Sequence, residues 1–125
     1  MIEQILAQLP TSLKAEKTTE NAWKILTPAT FLNGSAISIY LEQIDGKLYL
    51  TDQKATLKYM NDLYDLKSHD VKMCISNVIK IYSFTIPGGK LLSCEITKEN
   101  FLNKFYDFVM CIGSLANMFA FFDAP

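Results

Sequence analysis

Apolar and polar positions alternate most regularly between Ile37 and Thr51, on either side of Asp45-Gly46. Asp-Gly between two β-rich runs predicts a two-residue hairpin loop, because both central positions take positive φ. With that loop, Ile44 faces Lys47, Gln43 faces Leu48, Glu42 faces Tyr49 and Leu41 faces Leu50. Opposed residues share a face and neighbours alternate. One face collects Ile39, Leu41, Leu48 and Leu50 and should meet the core; the other collects Tyr40, Glu42, Tyr49 and Thr51 and should be half-wet or touch another element. A slip of one residue would mix the two sets.

Helical periods flank this hairpin. Ile2, Ile5, Leu6 and Leu9 mark an amphipathic helix interrupted or turned by Pro10. The polar stretch Thr11–Asn21 predicts at most one more helical turn, through Leu13, and then a loop. Trp23 and Ile25 alternate with Ala22, Lys24 and Leu26 as in a strand, which Thr27-Pro28 should end or confine to a sheet edge. Asn33-Gly34-Ser35 reads as a turn. After the hairpin, Asp52 opens a helix carrying Leu57, Met60, Leu63 and Tyr64. Asp70 is the expected cap of a third helix with Val71, Cys74, Ile75, Val78 and Tyr82. Phe84 and Ile86 begin a strand, Pro87-Gly88-Gly89 turns it, and Leu92, Cys94 and Ile96 line the return. Thr97 is the expected cap of the last helix.

That last helix is unusually apolar. Phe101, Phe105, Phe108, Ile112, Leu115, Phe119 and Phe122 form one stripe, with Tyr106, Met110, Met118 and Phe121 on further flanks. A helix packed on one sheet needs roughly a third of its circumference apolar, and this one shows about two thirds. Two readings stand: a central core helix, or a surface for self-association or a partner. Gly113 in mid-helix costs about 1 kcal/mol relative to Ala and would suit a close crossing by a neighbouring helix.

The chain has 125 residues, half of them hydrophobic, and that predicts one domain over 1–125 with a real core. The class expected is α+β: an antiparallel sheet of about four or five strands packed against helices. Net charge is −1 with no block of like charge, which argues against nucleic-acid binding by a broad basic surface. No signal peptide is visible at Met1-Ile2-Glu3-Gln4, and Phe108–Phe122 is too short to span a membrane. Cys74, Cys94 and Cys111 lack ligand spacing, so three thiols in a reducing cytoplasm are expected rather than a zinc site with His69.

Chemistry is sparse. Asp52 reads either as a helix cap or as a catalytic acid or metal ligand. Glu42, Asp45 and Asp52 surround the hairpin, and Asp62, Asp65 and Asp70 lie nearby, but nothing in their spacing demands convergence on a metal. His69 has no partner visible in sequence. Pro87-Gly88-Gly89-Lys90 lacks the length and the Ser/Thr of a phosphate loop. No catalytic residue, metal or cofactor is expected.

Leu26-Thr27-Pro28, Asn33-Gly34, the run Ile37–Leu41, Asp45 through Asp52, and Thr56-Leu57 together resemble the domain-of-unknown-function family 1828. The resemblance covers roughly residues 22–122. Gln53-Lys54 stand where that family tends to have Asp-Gly, and Ser35-Ala36 stand near its Gly-Asp. The resemblance implies an α+β domain without an established reaction and an origin in bacteria or their mobile elements. The function expected is therefore a non-catalytic protein-binding domain, concretely a phage or mobile-element inhibitor of a host defence system. Its expected contacts are Tyr40, Tyr49, Phe105, Phe108, Phe119, Phe121 and Phe122, with a homodimer through the last helix as one form. The alternative is a small metal-dependent enzyme acting on nucleic acid or nucleotides, or a structural homodimeric domain of a larger system.

Overall fold

The computed structural model describes residues 2–31, 34–87 and 91–117. A short helix α1 (Ile2–Leu6) precedes strands β1 (Lys14–Thr19), β2 (Ala22–Thr30), β3 (Ala36–Ile44) and β4 (Lys47–Thr51). Helices α2 (Ala55–Asn61) and α3 (His69–Ile81) follow, then β5 (Ser93–Ile96) and α4 (Phe101–Ala116). The strands form one antiparallel sheet in the order β1-β2-β3-β4-β5. This is an α+β architecture.

The central hairpin has the register its sequence dictates. Leu41 pairs with Leu50, Glu42 with Tyr49, Gln43 with Leu48 and Ile44 with Lys47. Asp45 and Gly46 have φ of 51° and 77°, the left-handed pair a two-residue loop needs. One sheet face, with Ile25, Ile39, Leu41, Leu48, Leu50, Cys94 and Ile96, is buried in a single cluster with side chains of all four helices. The opposite face carries Lys24, Leu26, Tyr40, Glu42, Tyr49 and Glu95, whose strand neighbours point into the core. Those tyrosines stand outside the core cluster and are half-buried.

Three expectations change. Lys14–Thr19 is an edge strand, not a loop; its side chains are all exposed, and only backbone pairing with β2 makes it a strand. Pro28 lies inside β2, which is an interior strand, at a register irregularity between Leu26 and Thr30 that spares the ladder a missing N–H. Phe84–Ile86 does not form a full strand and meets β5 through the bridge Thr85–Ser93.

The residues directly preceding α2, α3 and α4 (Lys54, Ser68 and Asn100) make no side-chain cap hydrogen bond. Asp70 is the second residue of α3, not its cap; Ser68 precedes the first helical residue, His69. At the other end Ser83 is left-handed (φ 59°), with Ser83 N–H on the Lys80 carbonyl and Phe84 N–H on that of Ile79. This pair of bonds is a Schellman stop, a position that favours glycine. Before α4, Thr97 N–H donates to Asn100 Oδ1 (2.7 Å) and Asn100 N–H to Thr97 Oγ1 (3.3 Å). Thr97 therefore closes the turn leading into α4, while Asn100 directly precedes the helix.

Helix α4 packs against α2, α3 and β5. Phe101, Phe105, Phe108, Ile112 and Leu115 are its core side, with Phe108 against Phe84 at 5.3 Å between ring centroids. Among the described residues no helix is long and apolar enough to cross a membrane.

Candidate functional site

Asp52 is the most tightly held carboxylate in the described chain. It follows β4 and is 1 % exposed. Its Oδ1 accepts the N–H groups of Lys54 and Leu92, and its Oδ2 accepts that of Thr56, each at 3.0 Å. The strand end, the first turn of α2 and the segment entering β5 are thus tied to one side chain. Three backbone donors satisfy an ionised carboxylate well. A metal ligand or catalytic acid needs its oxygens turned to a substrate or ion; those of Asp52 are turned to the backbone. The negative charge is felt nearby: burial first, and then Asp52, pushes the Cys111 thiol up to about 12.

The two residues after Asp52 are both left-handed, Gln53 at φ 51° and Lys54 at φ 74°. This conformation delays α2 until Ala55 and aims the Lys54 and Thr56 N–H groups back at the carboxylate. Gln53 reaches the other way, donating from Nε2 to Glu42 Oε2 at 3.3 Å.

The remaining acids stay apart. Glu42 and Asp45 border an open polar groove of about 380 Å³ with Thr19, Asn21 and Gln43. Among the described residues, no three His, Cys, Asp or Glu side chains stand close enough to hold a metal ion. His69 is exposed at the start of α3. The three cysteines are free thiols, and burial also raises that of Cys94. Of the Pro87–Lys90 turn, only Pro87 lies within the described residues.

The expected partner surface divides in two. Tyr40 and Tyr49 lie on the sheet face opposite the core, diagonal neighbours because Tyr40 pairs with Thr51 and Glu42 with Tyr49. Lys24 stands directly opposite Tyr40 on β2. Phe105 and Phe108 are corrected: they are 1 % and 0 % exposed and belong to the core, since their stripe is the one α4 turns to the sheet and the other helices. Phe119, Phe121 and Phe122 lie outside the described residues. The apolar groups that α4 offers to solvent are instead Tyr106 and Met110, 46 % and 61 % exposed. Their place opposite the phenylalanine stripe was the available sequence signal. A shallow apolar groove of about 290 Å³ between α2 and α3, lined by Leu57, Leu66, Ile75, Ile79 and Ile86, had no such signal.

A family model, described as Domain of unknown function DUF1828, matches residues 27–114. No curated protein and no solved structure matches the chain.

Proposed function

Given that the chain belongs to the family of Domain of unknown function DUF1828, we propose that it is a non-catalytic docking domain presenting the sheet face opposite its core to a protein partner. The observation that carries this reading is the diagonal placement of Tyr40 and Tyr49 on the two central hairpin strands, outside the core. Tyrosine supplies large contact area at low conformational cost and is enriched where proteins bind each other. Strands β3 and β4 hold the two rings on a rigid platform, with Lys24 and Glu42 beside them for polar contacts. On this face Glu42 and Glu95 balance Lys24 and Lys47, with Lys47 3.9 Å from Glu95, so it offers a phosphate backbone no excess positive charge.

The finer version is a modulator carried by a phage or other mobile element that docks on a host defence protein in the cytoplasm. Its support is the mobile-element company of the sequences this chain resembles. The test is affinity capture from a bacterial lysate, comparing the native chain with the double variant Tyr40→Thr/Tyr49→Thr. Threonine keeps the β preference of both positions. A protein held by the native chain and lost by the folded variant supports the proposal. Equal retention by both refutes it.

A further inference from the structure

The charges on the tyrosine face balance as a whole, but they are not mixed evenly. Lys24 faces Tyr40 from β2, and Thr51 faces it from β4. Tyr49 has the opposite setting: Glu42 stands directly across from it on β3 and Glu95 on β5. Directly opposed residues have Cβ atoms about 5 Å apart, so both carboxylate side chains start beside the Tyr49 ring. Glu42 also borders the polar groove of about 380 Å³, whose lining adds Asp45 and, among the described residues, holds no Lys, Arg or His. Against these three carboxylates stands Lys47, two residues before Tyr49 on β4 and 3.9 Å from Glu95. The Lys47 and Glu95 side chains are both more than half exposed, and such a pair is worth little in water. Glu42 accepts one hydrogen bond among the described residues, at Oε2 from Gln53 Nε2.

We infer that Tyr49, with Glu42 and Glu95 on either side, receives an arginine side chain of the protein partner. The inference rests on the docking reading and adds the chemistry of what docks. A cation over an aromatic ring is attracted by its negative face, and carboxylates beside the ring complete the guanidinium's hydrogen bonds. Arginine fits better than lysine. Its planar fork stacks on a ring and pairs with carboxylates two bonds at a time, whereas an ammonium is a compact, strongly hydrated point charge. Asp45, at the groove beside Glu42, deepens the negative potential that draws the cation in. Lys47 competes with the incoming group for Glu95. Tyr40 offers no such setting, because the charged residue facing it is itself a cation.

Titrating the full, isotope-labelled chain with N-acetyl-arginine amide, and separately with its uncharged isostere N-acetyl-citrulline amide, tests this through backbone amide chemical shifts. Arginine amide should give saturable shifts centred on Glu42, Tyr49 and Glu95; citrulline amide should not. Lys47→Ala should tighten binding about threefold and Glu95→Gln weaken it about threefold, the scale of an exposed ion pair. Shifts no larger at these amides than elsewhere, an equal response to citrulline amide, or an affinity that neither substitution moves overturns the inference. Capture separates this result from the docking reading. A protein lost by Tyr40→Thr/Tyr49→Thr yet held undiminished by Glu42→Gln/Glu95→Gln leaves the docking face standing and removes the arginine from it.

Discussion

Replacing Lys54 by glycine should stabilise the protein. Lys54 has φ 74° and ψ 0°, a conformation that places an L residue's Cβ against its own backbone. The left-handed geometry costs a non-glycine residue about 1–2 kcal/mol. Glycine removes that strain but loosens the unfolded chain by about 0.4–1 kcal/mol. The net gain is about 0.5–1 kcal/mol. The Lys54 side chain is exposed, and the bond at stake in the folded state runs from its backbone N–H to Asp52 Oδ1, which glycine also makes. Urea unfolding followed by circular dichroism measures the effect. With an m-value of about 1.5 kcal/mol/M the midpoint should rise by about 0.3–0.7 M, with the slope unchanged. Lys54→Ala is the control, since it removes the same side chain and keeps the strain; its midpoint should hardly move. A midpoint that falls in Lys54→Gly, or rises equally in Lys54→Ala, would refute the reasoning.

Further outcomes follow from the same geometry. Ser83→Gly, at the left-handed stop of α3, should raise the urea midpoint by a similar amount for the same reason. Asp52→Asn replaces an acceptor of three N–H groups with an amide that turns a donor toward one of them, and should cost about 2 kcal/mol in urea unfolding. Phe108→Ala should cost about 3–5 kcal/mol, because the ring is fully buried against Phe84. The Cys111 thiol ionises near 9.0 when unfolded and near about 12 when folded, so the unfolded state loses its proton first as pH rises. Its contribution is therefore complete below pH 9.0 and lost progressively toward about pH 12; the decline in thermal midpoint over that window should be shallower in Cys111→Ala.

The hairpin was legible in the sequence because Asp45-Gly46 sets the loop and strict alternation leaves only one register that keeps the leucines together. β1 was not, since Lys14–Thr19 buries no side chain and a fully exposed edge strand leaves no hydrophobic pattern. Pro28 pointed to a strand end because sequence cannot show an irregularity that excuses a missing N–H inside a sheet. Periodicity identified the Phe105 and Phe108 stripe of α4 but not what it faces; that is decided by elements remote in the chain. The Asp52 brace was half visible. Its bond to Thr56 is local, whereas Leu92 lies forty residues away and reaches it only because β5 returns beside β4.

Hydroxyl-radical footprinting tests the docking account most directly, on the chain alone and bound to the protein it captures. Tyr40 and Tyr49 should lose most of their labelling in the complex, while the buried leucines of the same strands stay unlabelled in both states. Unchanged labelling of the two tyrosines, with protection arising on another surface, would contradict the account.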